Sequence, residues 1–330
     1  MQLRAALLTA LAALVPLAGA AAPGAGHARC PASSAAPAVA RLRTALERQR
    51  FVAYQPTSLR VVDGQVSPAD PAGIRADLTV LRRNFDALIT YDAVHGAENI
   101  PAIAASLDFH TLIIGVWDPA DEAQLAAAVA AVQRFPDLVP ALSLGNELLF
   151  ARRSDPAALA ALIARVRARL PGIALSTTEP FHVYYQPETA ALRAGLDFLL
   201  VNVHPIFQPW FRDASDATAA QFVVNVLARL APLACGPILV KESGVPSAPA
   251  SAGYSEARQA SFYRELRRQL PPDGARAFAY FAAFDAPWRA YDASPVPGVH
   301  PEEAHWGLYD AARQPKLAAR ELARLPLAAR

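Results

Sequence analysis

The stretch TLIIGVWDPADEAQLAAAVAAVQRFPDLVPALSLGNE, residues 111–147, contains the structural unit that recurs along this chain. An apolar run of strand length, Thr111–Trp117, is followed by a helix-compatible segment, Glu122–Arg134, and by a second apolar run, Val139–Leu144. A strand, a helix and another strand in this order are typical of a parallel sheet with helices packed against it. The stretch therefore predicts an α/β fold.

The same alternation continues on both sides of this unit. Further strands are predicted at Phe51–Gln55, Ala87–Tyr91, Ile173–Thr177, Phe198–Val203, Ile238–Lys241 and Ala277–Phe284. Further helices are predicted at Pro156–Leu170, Ala217–Leu230 and Glu256–Leu270, and the capping residues of the helices are Asp121, Asp155, Asp216 and Ser255. Eight such units predict a closed (β/α)8 TIM barrel. An open doubly wound sheet is the alternative, although no glycine-rich turn follows the first strand.

Composition narrows the class of protein and of partner. The chain has 330 residues, 53% of them hydrophobic and 18% charged, with a formal net charge of +2. This length accommodates one large barrel or two modest domains, and no linker between domains is visible. The weak charge, without a basic stripe, argues against nucleic acid as a partner and suits a neutral polysaccharide. We expect a monomer.

The N-terminus has the pattern of a secretory signal peptide over residues 1–22. Arg4 precedes the apolar run Ala5–Leu17, and small residues follow at candidate cleavage sites. An uncleaved membrane anchor is the alternative. Residues 23–50 are predicted to be a linker and an N-terminal helix over Val39–Gln49, and residues 51–330 the barrel. The mature chain contains no run of transmembrane length. We expect export to the periplasm or the extracellular space.

Polar and aromatic residues end several predicted strands, and these ends meet at the rim where barrel enzymes bind substrate. They are Tyr54, Tyr91, Asn146, Glu147, Glu179, His204, Glu242 and Asp285, with Trp288 shortly after. Carboxylates beside aromatic rings are typical of carbohydrate sites. Glu147 and Glu242 would face each other, as a retaining glycosidase requires, or would form ordinary salt bridges at the rim. Trp117 is predicted to lie in the core.

Two of these segments carry a family resemblance. Residues 144–147, LGNE, and residues 240–247, VKESGVPS, resemble the two signatures of glycoside hydrolase family 17. That family comprises β-1,3-glucanases and related transglycosylases built on a (β/α)8 barrel. The resemblance extends over Phe51 to Asp310 and includes residues 201–205, VNVHP, and residues 281–288, FAAFDAPW. It implies a secreted retaining glycoside hydrolase or transglycosylase acting on β-glucan, with no cofactor and no metal.

The resemblance also implies residue roles. Glu242 would be the nucleophile, Glu147 the acid/base, and Asn146 a hydrogen-bond partner of the sugar 2-hydroxyl. Substrate-binding residues would be Tyr54, Tyr91, Asn146, Glu179, His204, Asp285 and Trp288. His204 would donate to Glu242 or to a sugar hydroxyl, with a purely structural histidine as the alternative.

The sequence departs from the family pattern at four positions. Val245 stands where tryptophan is usual, Ala282 and Ala286 where related members often have glutamate, and Ile89 where many have arginine. These departures remove contacts to sugar. They leave a non-catalytic glycan-binding barrel, and a glycosidase for a different polysaccharide, as alternative functions.

The chain has two cysteines, Cys30 and Cys235. Cys235 comes just before the seventh predicted strand, at the end of the barrel opposite the active rim. Cys30 comes just before the N-terminal helix, which must approach the first strand from that same end. A disulfide between them is therefore predicted for an exported protein.

Overall fold

The computed structural model describes residues 30–31, 33–62, 65–292 and 299–327. The predicted signal peptide, residues 1–22, lies outside the described residues, as do residues 23–29 of the predicted linker. Within the described ranges, no helix is both long and apolar enough to cross a bilayer.

Eight parallel strands close into a barrel, so the predicted (β/α)8 fold is confirmed. In chain order they are β1 Phe51–Ala53, β2 Ala87–Ile89, β3 Thr111–Val116, β4 Ala141–Asn146, β5 Ala174–Pro180, β6 Leu199–Asn202, β7 Ile238–Glu242 and β8 Arg276–Tyr280. Nearly every strand residue is buried, because helices cover the outer face and side chains fill the inside. The 53% hydrophobic content follows from this double burial.

Helices lie before, between and after the strands. Their bounds are Ala36–Arg48, Pro71–Leu81, Ile100–Ser106, Glu122–Arg134, Pro156–Arg169, Phe181–Tyr184, Ala190–Ala194, Asp216–Leu230, Glu256–Gln269, Arg289–Asp292 and Leu317–Leu322. Aspartate side chains cap three of them, since Asp70, Asp121 and Asp155 accept hydrogen bonds from first-turn amides.

Three details of the predicted elements were wrong. Ser215, rather than Asp216, caps its helix, with Oγ accepting from Thr218 N at 3.1 Å. The eighth strand ends at Tyr280 and does not reach Phe284, because the Ala282 backbone instead bonds to residues 306–308. A short antiparallel hairpin, Arg60–Val62 with Gln65–Ser67, was not predicted and lies between β1 and the next helix.

The N-terminal helix Ala36–Arg48 closes the bottom of the barrel. Leu42 and Leu46 belong to the same buried cluster as Phe51, Ala87 and Ile113 of the strands. Just before the helix, a disulfide joins Cys30 to Cys235, residues 205 positions apart whose Cα atoms are 5.4 Å from each other. The chain that enters the barrel is thus covalently fastened to the segment that precedes β7.

Replacing both cysteines with alanine is expected to lower the free energy of unfolding by about 2–5 kcal/mol, since so long a closed loop restricts the unfolded chain. Urea unfolding followed by tryptophan fluorescence measures the change. Reduced wild type should match the double variant. Equal unfolding midpoints for the oxidised and reduced wild type would contradict the expectation.

Candidate active site

Glu147 and Glu242 stand at the carboxyl ends of β4 and β7, and each strand gains one extra residue just before its glutamate. Ser143 pairs with Ser176 and Asn146 with Thr178, so β4 advances three residues while β5 advances two. Likewise, Val201 pairs with Val240 and Asn202 with Glu242. Such a bulge bends a strand and redirects the side chains beside it.

Backbone geometry around Glu147 is unusual. Gly145 has φ of 92°, and a Cβ there would collide with the Leu148 side chain. Glu147 itself has φ of 54°, in the left-handed region that residues other than glycine rarely adopt. Its backbone N–H donates to the Thr178 carbonyl at 2.8 Å. Backbone outliers of this kind cluster at functional sites, where the surrounding structure holds them in place.

The Glu147 side chain lies in a setting that favours its protonated form. Asn202, at the end of β6, donates through Nδ2 to Glu147 Oε1 at 2.8 Å. Burial raises the pKa of Glu147, and the negative charge of Glu242 raises it further, while the Asn202 hydrogen bond opposes both. A carboxyl group whose pKa is raised keeps its proton to a higher pH and is suited to act as a general acid.

Glu242 lies in the opposite setting and is 7% exposed. His204 Nε2 is 3.4 Å from Glu242 Oε2, and Lys241 Nζ is 3.9 Å from Oε1. Burial opposes ionisation of Glu242, but the His204 hydrogen bond and the Lys241 charge together lower its pKa to about 2. The group is therefore ionised and able to act as a nucleophile.

Two further predicted residues accompany this pair. Asn146 is buried beside Glu147, and its Oδ1 accepts from Lys241 Nζ at 2.7 Å. The Tyr91 ring centroid lies 3.9 Å from the same ammonium. Burial, and then the charge of Glu242, raises the pKa of the Tyr91 hydroxyl.

The segment after β8 forms one wall of a cleft that reaches Tyr91, the aromatic residue beside Glu242. Tyr91 and Trp288 line the same depression, together with Ala282 and Ala286. The two alanines noted as departures therefore lie on this wall and leave it without the carboxylates of related members. Val245, by contrast, is fully buried, so this departure does not alter the exposed cleft surface directly.

Tyr54 and Asp285 are both held by hydrogen bonds within the protein, although Asp285 also lines the depression that Trp288 borders. Tyr54 is fully buried, and its hydroxyl donates to Asp77 Oδ2 at 2.9 Å. Asp285 Oδ1 accepts from Lys316 Nζ at 2.6 Å and from Gly307 N at 2.9 Å. Tyr54 therefore has a structural role in place of its predicted contact with substrate, and Asp285 ties the segment after β8 to Gly307 and Lys316.

Trp117 is exposed, although it was predicted to lie in the core. Its side chain is 44% exposed at the rim, and the Arg153 guanidinium lies 5.4 Å from the ring centroid. Arg153 Nη2 also donates to the Asn146 carbonyl at 3.1 Å. The guanidinium thus joins an exposed aromatic ring to the backbone beside Glu147.

Glu179 lies behind Glu147 and faces no open space, which argues against the predicted contact with substrate. Its carboxylate accepts from Leu149 N at 2.9 Å and from Phe150 N at 3.1 Å. Burial raises the pKa of Glu179 to about 7, although these two hydrogen bonds oppose the rise. Glu179 fastens the turn that follows Glu147.

Replacing Glu179 with alanine is expected to lower the free energy of unfolding by about 1–3 kcal/mol, because two backbone amides lose their hydrogen-bond acceptor. Urea unfolding measures the loss. The matched control is Glu188→Ala, at an exposed glutamate nearby, for which a change within about 0.5 kcal/mol is expected. Equal effects of the two substitutions would contradict the role of Glu179 in holding the turn that follows Glu147.

Three residues of the site were not singled out from the sequence as contributors to it. They are Asn202, Lys241 and Trp306. The Trp306 ring is buried, and its centroid lies 5.2 Å from that of the His204 ring. Asn202 was within reach of the sequence, because alternation along a strand places it on the same face as His204. Lys241 directly precedes Glu242 at the end of an apolar run. A lysine there indicates either an exposed strand end or a buried charge that is paired with another group.

The arrangement can carry out acid, base and nucleophilic chemistry on a neutral ligand. The pKa of one carboxyl group is raised and that of the other is lowered, and amide, imidazole and ammonium groups surround the pair. Over the ranges that the structure describes, no group of three or more His, Cys, Asp or Glu side chains is placed to hold a metal ion.

Comparison with known proteins agrees with this chemistry. The sequence model of the BtgE/BtgC glycoside hydrolase domain matches residues 52–307. A glucan 1,3-beta-glucosidase of Arthroderma benhamiae is 28% identical over an alignment of 269 residues that covers 77% of this chain and 85% of that protein.

Two solved structures have the same fold. An active-site mutant of Rhizomucor miehei β-1,3-glucanosyltransferase in complex with laminaritriose has a TM-score of 0.63 at 21% identity, covering 85% of this chain and 97% of that one. An endo-laminarinase from Formosa Hel1_33_131 has a TM-score of 0.67 at 18% identity, covering 84% and 88% respectively.

Proposed function

Because this chain belongs to the BtgE/BtgC glycoside hydrolase domain family, and with it to glycoside hydrolase family 17, we propose that its substrate is β-1,3-linked glucan. The chain is an O-glycosyl hydrolase, as its motifs led us to expect. The names of its relatives support the substrate, since they comprise a glucan 1,3-beta-glucosidase, a β-1,3-glucanosyltransferase and an endo-laminarinase.

In the first step of the proposed reaction, a carboxylate oxygen of Glu242 attacks the anomeric carbon. Glu147 gives its proton to the glycosidic oxygen, and the bond between that oxygen and the anomeric carbon breaks. The leaving sugar departs with the proton, and the remaining sugar is held as an ester of Glu242. Asn146 donates to the 2-hydroxyl, and this bond strengthens as positive charge develops on the ring.

In the second step, the ionised Glu147 removes a proton from water or from a sugar hydroxyl. The resulting oxygen attacks the anomeric carbon and releases Glu242 as a carboxylate. Two inversions give net retention of configuration. Water yields hydrolysis and a sugar hydroxyl yields glucosyl transfer, so both outcomes use the same residues.

The arrangement that carries this proposal is a pair of strand-end glutamates with different neighbours, Asn202 beside Glu147 and both His204 and Lys241 beside Glu242. Burial raises the pKa of Glu147, whereas His204 and Lys241 lower the pKa of Glu242, and this difference supports the acid on β4 and the nucleophile on β7. His204 Nε2 and Lys241 Nζ lie 3.4 Å and 3.9 Å from the carboxylate oxygens of Glu242, so both act directly on Glu242.

Product analysis tests the proposal. A laminari-oligosaccharide is incubated with the full chain, and the products are followed by proton NMR and by size. We expect β-anomeric products at the earliest times, together with any longer oligosaccharides that transfer creates. An α-anomer appearing first would overturn the retaining mechanism. Turnover of β-1,4- or β-1,6-linked glucan without turnover of β-1,3-linked glucan would overturn the substrate.

We also propose that the protein is exported to the periplasm or the extracellular space. The disulfide between Cys30 and Cys235 supports this, since such bonds persist in oxidising compartments. The signal-like pattern of residues 1–22 supports it as well.

A bell-shaped pH dependence of kcat/KM is expected, because the active form holds Glu242 ionised and Glu147 protonated. Activity falls on the acid side as Glu242 takes up a proton, at a pKa lowered to about 2. It falls on the alkaline side as Glu147 loses its proton, at a pKa raised above the ordinary 4.5. Initial rates from acid to alkaline pH measure both limbs. An alkaline limb that persists in Glu147→Gln would contradict the assignment.

A further inference from the structure

Lys241 is a buried charge inside the barrel that neither forms nor breaks a bond in the proposed reaction. It lies on β7 and is 1% exposed. Leu239, two residues earlier, belongs to the buried cluster inside the barrel, so alternation places Lys241 on the inner face as well. A lysine so deeply buried requires partners for its ammonium group.

The ammonium group has three neighbours on three different strands or their ends. It donates to Asn146 Oδ1 at 2.7 Å, lies 3.9 Å from Glu242 Oε1, and lies 3.9 Å from the centroid of the Tyr91 ring. β4, β7 and the end of β2 thus converge on a single cation. Each neighbour lies at the proposed site.

The contact with Asn146 fixes which way its amide faces. An asparagine side chain has one acceptor oxygen and an NH2 group with two donors, and an ammonium can only donate. With Oδ1 held by Lys241, a flipped amide would place NH2 against the ammonium. The NH2 group is therefore kept on the side away from Lys241, as a donor.

The same charge also acts on Glu242. Ile89 is buried and apolar, so no cation comes from the position where many related members have arginine. The ammonium of Lys241 approaches instead from the strand that bears Glu242. Burial lowers the pKa of Lys241 to about 8, while the charges of Glu242 and Glu147 oppose that decrease.

We propose that Lys241 is a positioning residue that fixes Asn146 as a hydrogen-bond donor to the sugar 2-hydroxyl and stabilises the negative charge of Glu242. This inference rests on the proposed function, because it names the group that orients a substrate contact in that reaction.

Two matched aryl β-glucan substrates test the inference, one with and one without the 2-hydroxyl on the sugar that is transferred. In Lys241→Met we expect kcat/KM for the 2-hydroxy substrate to fall at least about 10-fold, with a smaller fall for the 2-deoxy substrate, since a free amide no longer selects the hydroxyl. Lys241→Arg should restore part of the difference. An unchanged ratio between the two substrates in a folded Lys241→Met variant would overturn the inference.

Lys316→Met is the matched control. Lys316 is the other lysine of the chain and is also buried, but it binds Asp285 and Ser247. The Lys316→Met variant should be less stable than the wild type but should keep the wild-type ratio of kcat/KM between the two substrates. A collapse of the ratio in Lys316→Met would assign the effect to general loosening and overturn the specific role of Lys241.

A second measurement requires no turnover. Labelling with ¹³C-lysine gives signals from Lys241 and Lys316 alone, and Lys316→Met assigns them. In Glu242→Gln the titration midpoint of Lys241 should fall by about one pH unit, because an opposing charge about 4 Å away is removed. An unshifted midpoint would overturn the contact. A shifted midpoint in a chain that leaves β-1,3-glucan intact would refute the proposed substrate and preserve the contact.

Discussion

Replacing Glu242 with glutamine is expected to lower turnover of laminari-oligosaccharides by about 10⁴-fold or more, the scale on which removal of a catalytic nucleophile acts. Glutamine keeps the volume of the side chain and its place beside His204 and Lys241. It cannot form the glycosyl ester, because the neutral amide oxygen is a poor nucleophile. Initial rates measured against the wild type give the loss.

A labelling experiment accompanies the rate measurement. A 2-fluoro glucoside with a good leaving group should leave a sugar attached to the peptide that contains Glu242, as seen by mass spectrometry. Glu265→Gln changes a surface carboxylate that is paired with Arg268 and should leave the rate unaltered. Label on another residue, or undiminished turnover in Glu242→Gln, would refute the nucleophile assignment.

The second large effect concerns Glu147. Glu147→Ala is expected to slow cleavage of the natural linkage by about 10²–10⁴-fold, because no side chain protonates the leaving oxygen. Aryl glucosides whose leaving group needs no proton should be cleaved with a much smaller loss in the first step. Rates with both kinds of substrate measure the difference.

Azide supplies the complementary test for Glu147. A small anion can enter the space vacated in Glu147→Ala and attack the glycosyl ester without base assistance. We expect faster turnover of the activated substrate and a β-glucosyl azide product. Equal losses for natural and activated substrates, with no azide product, would show that Glu147 does not act as the acid/base.

The sequence was sufficient to predict the barrel because its strands are buried on both faces and stand out as short apolar runs. β3, for example, was predicted to within one residue of its end. The ends of strands were harder to predict where the backbone forms hydrogen bonds to distant segments instead of to the neighbouring strand. The eighth strand looked continuous through Phe284, but the backbone after Tyr280 bonds to a segment more than 20 residues further along.

For the site, strand ends placed residues at the rim but did not give the direction of each side chain. Tyr54 follows β1 immediately, yet it extends outward to Asp77 on the helix Pro71–Leu81. Trp117 follows β3 and is exposed instead of buried. Such directions depend on which neighbour offers a hydrogen bond or space, and those neighbours lie far away in the sequence.

Lys241 shows the limit most clearly. Its own strand predicts only that it lies in or near the core. The residue it binds, Asn146, is 95 positions earlier in the chain, and the distance between them depends on the extra residue in each of β4 and β7.

Those two bulges have a wider consequence for how this fold can diversify. The carboxylates are aimed by irregularities inside the strands, whereas Trp288 and the two alanines of the cleft wall belong to the segment after β8. Reactivity and selectivity therefore reside in different parts of the backbone. Substitution of the wall can change which sugars fit, or how many, while the distance between the two reacting groups stays the same.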